Sequence, residues 1–74
     1  MKPYKKEPNI IRQEVGMDAI YTINLDDRKA WLNVKWLGNW ETILEFSFDE
    51  FYDLKKIKAR LEKKAMAYYT FLDS

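Results

Sequence analysis

Five carboxylates stand in two places along the chain, Asp26-Asp27 in one and Asp49, Glu50 and Asp53 in the other. Paired carboxylates can hold a divalent cation through oxygen ligands or divide the roles of acid and base. The rest of the inventory argues against both uses. Histidine and cysteine are absent, so there is no imidazole base, no thiolate nucleophile and no nitrogen or sulfur ligand for zinc. The only glycines are Gly16 and Gly38, which leaves no glycine-rich loop to cradle phosphate. Asp26-Asp27 falls between two apolar alternations, where aspartate is a turn former. Asp49, Glu50 and Asp53 fall where a helix should begin, where carboxylates cap and complement the dipole. The expectation is a protein that is not an enzyme, with no cofactor and no metal.

A second chemistry is phosphate recognition. Lys56, Arg60, Lys63 and Lys64 share one side of a predicted helix, nearly opposite its apolar stripe, and Lys2, Lys5 and Lys6 add a basic arm. Against this, 13 basic residues balance 12 acidic ones for a net charge of +1, and Asp49 and Asp53 share that side. Nucleic-acid binding through Lys56, Arg60, Lys63, Lys64 and the arm is therefore the alternative reading, since phosphate contacts favour an uninterrupted basic surface.

The elements that must position these residues follow from hydrophobic rhythm. Residues 1–8 hold four charges and two prolines and read as a flexible basic arm. Asn9 to Val15 fits a short helix or an extra strand, a short helix or turn being preferred, and Gly16 ends it either way. Alternation then predicts three strands, about 19–25, 30–36 and 40–46. A three-residue second loop, Leu37-Gly38-Asn39, pairs Trp36 with Trp40 and Leu32 with Leu44. A two-residue loop would mix the faces and is rejected. The first hairpin pairs Ile23 with Leu32 and Ala19 with Trp36. At Phe46-Ser47-Phe48-Asp49-Glu50-Phe51 the period lengthens: Ser47 and Glu50 have capping-box spacing, and Phe46 and Phe51 that of a hydrophobic staple. A long helix is predicted over about 48–71, its stripe formed by Phe51, Leu54, Ile57, Leu61, Ala65, Tyr68 and Leu72. The fold class is α+β: a three-stranded antiparallel meander packed against one long C-terminal helix, with a short N-terminal arm or helix. The 74 residues make one small domain, which buries only about 60% of its unfolded surface.

Three surfaces stand out as partner-binding candidates. Strands of about 23 Å under a helix of about 36 Å leave an apolar overhang that carries Met66, Tyr69 and Phe71. Residues 9–15 or another chain should cover it. Tyr52, Ala59 and Met66 recur every seven residues, a candidate helix–helix seam. Ile20, Trp31 and Ile43 stand together on the predicted outer sheet face, and tryptophan is enriched at binding hot spots. The expected function is a small protein–protein interaction module that self-associates as a homodimer. Its size and texture suit a phage or mobile-element accessory protein that inhibits or modulates a host protein. No apolar run reaches the roughly 20 residues of a membrane span. The N-terminus lacks the apolar core of a secretory signal, so the cytoplasm is the expected location.

The order strand-strand-strand-helix, over about residues 19–65, is similar to plant ethylene-response-type DNA-binding domains and to the amino-terminal domains of some integrases. Trp36-Leu37-Gly38-Asn39-Trp40 looks like a fragment of the former. That resemblance implies a sheet that enters the major groove with arginines and tryptophans. The outer face here offers Trp31 and Lys35 but also Glu41 and Glu45. With a helical N-terminal segment the order also resembles double-stranded RNA-binding domains, without their lysine-rich helix start.

Overall fold

The computed structural model describes residues 9–74; the predicted basic arm, 1–8, lies outside them. Four strands precede one helix: β1 (Ile10–Glu14), β2 (Ala19–Asn24), β3 (Lys29–Trp36), β4 (Asn39–Ser47) and α1 (Leu54–Leu72). The sheet is antiparallel throughout, in the order β1-β2-β3-β4. The expected α+β meander with a C-terminal helix is present, with four strands rather than three.

The additional strand is the segment read as a short helix or turn. Ile11 lies opposite Ile23 and Gln13 opposite Tyr21, so the odd-numbered residues meet the apolar face of β2. Asn9 anchors the start: its amide donates to Asp26 Oδ2 at 3.1 Å, and its carbonyl accepts from the Leu25 amide at 2.9 Å. Gly16, at φ +71°, then turns the chain back.

Both hairpins differ from the predicted register, and the causes are local. In the first, Ile23 faces Ala30 and Ala19 faces Val34, a slip of two residues that keeps every side chain on its face. Asn24 closes the turn, accepting from the Asp27 amide at 2.9 Å, and Arg28 takes the left-handed conformation at φ 56°. In the second, the two-residue loop rejected on sequence is the one adopted: Trp36 pairs with Asn39, and Leu37 and Gly38 have φ 52° and 85°, the signs of a type I′ turn. The mixing of faces that this loop should cause is seen at the turn end, where Val34 meets Glu41 and Lys35 meets Trp40, and is confined there by a register shift beyond Leu32, which restores the Leu32–Leu44 and Ala30–Phe46 pairs. Ile43 is the extra residue.

The helix begins six residues later than predicted. Ser47 stays in β4 opposite Lys29, and the Phe48 amide continues the pairing by donating to Arg28 O at 3.0 Å. Ser47 is thus held in the sheet and cannot cap. Asp53 caps instead, its carboxylate accepting from the Lys55 amide at 3.0 Å. The predicted capping box and staple are absent; Phe51 is 83% exposed. Lys63 and Lys64 lie mid-helix, and no basic residue occupies the last turn to complement the macrodipole.

The core is the predicted stripe seated on two strands. Ile57, Leu61, Ala65 and Tyr68 of α1 are buried against Ala19, Tyr21 and Ile23 of β2 and Ala30, Leu32 and Val34 of β3. Successive tyrosines then lock the helix end to one end of the sheet, where the Lys35 amide donates to Asp18 O at 2.8 Å. Tyr68 donates to Lys35 O at 2.7 Å. The Tyr69 hydroxyl donates to Val15 O and accepts from the Asp18 amide at 2.9 Å.

Two of these phenols titrate late. Burial, reinforced by the Glu62 carboxylate, pushes Tyr21 above its ordinary 10.0. Burial, with smaller contributions from Asp18 and Glu41, does the same for Tyr68. An acid whose folded pKa exceeds its unfolded one stabilises the fold below the unfolded value and loses that contribution as pH rises through the folded one. Stability is therefore expected to fall as pH rises past the ordinary tyrosine value of 10.0. Urea midpoints across that rise should fall less for Tyr21→Phe than for the wild type; equal slopes would contradict the assignment.

Candidate docking groove beside the edge strand

Widths decide what the helix covers. Four strands spaced by about 4.8 Å span nearly 19 Å with their side chains, whereas one helix is about 10 Å across. Because α1 rests on β3 and β2, the helix-side face of β4 is left open. Ile43, Leu44 and Phe46 are half-buried there, packed at the margin of the core. Three adjoining depressions follow this margin along the flank of α1. One of about 340 Å³ lies between Phe46, Tyr52 and Arg60. One of about 260 Å³ lies between Leu44, Lys63 and Ala67. One of about 320 Å³ lies between Ile43, Lys64 and Phe71. Arg60 borders the first two, and Lys64 and Ala67 border the last two, so together they read as one groove with an apolar floor. The 19 residues of α1 give it a length of about 28 Å.

The walls are unequal in charge. Lys56, Arg60, Lys63 and Lys64 border the groove; among the described residues that line it the one acid is Asp53, the helix cap, with Glu41 near enough to act on Tyr68 at the far end. The four residues singled out for phosphate contact are therefore brought together along a groove wall. The Arg60 guanidinium sits over the Phe46 ring, 4.0 Å from its centroid, a cation–π contact that screens that ring from solvent.

The remaining candidates are dispersed. Ile43 leaves the outer face because of the register shift and joins the groove, which separates it from Ile20 and Trp31. Those two stay half-buried on the outer face, in adjacent rows with Arg12, Thr22 and Glu45 and with Glu14, Asn33 and Thr42. The overhang is also corrected. Strand β4, nine residues and about 30 Å, matches the helix in length. Tyr69 is clamped by Val15, at the end of the segment expected to cover it, together with Asp18 of the following turn, and Ile11 and Val15 pack against the core. Phe71, 61% exposed, meets Trp36 at 6.0 Å on the groove side. Met66 is exposed on the opposite flank, toward β1. The seven-residue seam does not form on one helix, since Tyr52 precedes α1 and packs edge-on against Phe48 at 4.8 Å.

Sequence reasoning missed Leu44, Phe46 and Ala67 as site residues. The signal was the doublet Ile43-Leu44, which breaks the alternation of β4 and marks a register shift. The carboxylates considered for metal are occupied locally. Asp26 and Asp27 accept from Asn9 and Asn24, and Asp49 accepts from the Phe51 amide at 2.9 Å. Among the described residues, no cluster of three or more acids gathers, and no helix is long and apolar enough to cross a membrane. Comparison of the chain with protein-family models, curated proteins and solved structures finds no match.

Proposed function

We propose that this chain is a protein–protein interaction module whose docking face is the groove between α1 and β4. One observation carries the reading: a single helix on a four-stranded sheet leaves Ile43, Leu44 and Phe46 half-covered beside a strand whose outer edge pairs with no other strand among the described residues. Apolar surface of this kind is worth about 25 cal/mol for each Å² removed from water. The outer N–H and C=O groups of β4 can add main-chain hydrogen bonds to a docking chain. A second copy paired through β4 would make the module a homodimer, and a foreign chain would make it an adaptor or inhibitor.

Photo-crosslinking tests the reading. A photoreactive residue at Leu44 should give adducts, in an extract of the source cell or with a second copy, that vanish when Ala67→Trp fills the groove. The same label at Asn33, on the opposite face, should give none. Equal adducts at both positions, or indifference to Ala67→Trp, would refute the groove as the docking face.

A further inference from the structure

Resting on that docking reading, we infer that the occupant is an acidic segment of another protein with apolar anchors, laid extended along β4 as a fifth strand. The observation is charge complementarity. Lys56, Arg60, Lys63 and Lys64 wall the groove, while its one lining acid among the described residues, Asp53, is committed to the Lys55 amide. The floor of Ile43, Leu44 and Ala67 is aliphatic. A strand beside β4 places every second side chain on the helix side. There, apolar groups meet that floor and carboxylates meet the lysine ends, which reach outward from the helix flank. Main-chain bonds to β4 would fix the register, and the side-chain pattern would fix the partner.

A second copy fits less well. The helix sits about one and a half strand spacings from β4, so two-fold pairing of β4 with its symmetry mate would hold the two helix axes about 19 Å apart. Helices in contact lie 8–10 Å apart. The groove would stay unfilled, and two basic walls would face each other across it, an arrangement that like-charge repulsion opposes. A nucleic acid also supplies negative charge, and the exposed Phe51 and Phe71 at the two ends of the groove could stack on its bases. Its backbone, however, has no N–H and C=O ladder to pair with the edge of β4, and it brings no aliphatic side chains to Ile43 and Leu44.

The test is an amide-shift titration of the intact isotope-labelled protein. Three probes are used: a short peptide whose every second residue is in turn leucine and aspartate, with threonine between them, so that both kinds of side chain share one face of the strand; the same peptide with lysine for aspartate; and a single-stranded oligonucleotide. The acidic peptide should shift the amides of β4 and of the Arg60–Phe71 flank. The exposed double substitution Lys63→Glu with Lys64→Glu should weaken it about fivefold to tenfold and favour the lysine peptide. Equal binding of both peptides to the wild type, shifts mapping elsewhere, or shifts produced by the oligonucleotide alone would overturn the acidic-partner inference. So would a dimer that buries β4 at working concentration. If the acidic peptide fails while Leu44 adducts persist, the docking reading survives without this partner; if both fail, neither stands.

Discussion

Leu61→Ala is expected to lower the melting temperature by roughly 10–25 °C. Leu61 is fully buried at the centre of the helix stripe, in the same core cluster as Leu32 and Val34. Truncating such a leucine removes transfer energy and leaves a cavity, together about 3 kcal/mol. A domain of this size shifts by about 4–8 °C for each kcal/mol. Native stability scales at about 0.05–0.15 kcal/mol per residue, on the order of 4–11 kcal/mol for this chain, so the variant should sit near the edge of folding. Leu72→Ala is the control: Leu72 belongs to the same stripe but is 38% exposed at the helix end, and its loss should be below about 1 kcal/mol. Equal losses at both positions, read by thermal melts, would show that α1 does not seat on the sheet as described.

Gly16→Ala should cost nearly as much, for a reason no core residue supplies. Gly16 has φ +71°, and a Cβ added there would stand 2.7 Å from the Tyr69 hydroxyl and 3.0 Å from its Cζ. The left-handed conformation alone costs an alanine about 1 kcal/mol. The phenol cannot yield cheaply, because its hydroxyl holds both Val15 O and the Asp18 amide. Breaking those bonds costs about 1–2 kcal/mol more. Gly38→Ala isolates the backbone share, since Gly38 has φ +85° with nothing within 4 Å of an added Cβ; it should lose about 1 kcal/mol. The excess at Gly16 should shrink in a Tyr69→Phe background, a coupling that a double-mutant cycle reads directly. No excess over Gly38, or an unchanged one in that background, would contradict the clamp.

Where side chains alternate and one face is buried, the fold was legible. The alternation of Tyr21 and Ile23, and of Ala30, Leu32 and Val34, places these residues on the helix side as observed, because a strand with one buried face has only one workable phase. The spacing of Ile57, Leu61, Ala65 and Tyr68 likewise identified the seated stripe. What failed was competition between valid local signals. Ser47 and Glu50 satisfy the pattern of a capping box, but sheet pairing through Phe48 outweighed it and left the cap to Asp53. Leu37 is a poor candidate for φ 52°, so the sequence favoured Asn39 as the left-handed residue and a longer loop. That single difference of loop length moved Ile43 to the helix side and hid the groove. The basic wall was legible as a cluster, but that it borders apolar β4 surface depends on which two strands the helix covers, which periodicity does not specify.

Methyl relaxation by a soluble paramagnetic agent, on dilute protein whose monomeric state is checked by sedimentation, tests the uncovered face of β4 most directly. The methyls of Ile43 and Leu44 should be relaxed far more strongly than those of Leu32 and Leu61, and Ala67→Trp should diminish the effect. If Ile43 and Leu44 prove as shielded as Leu32 in the monomer, the groove is closed and the docking face does not exist.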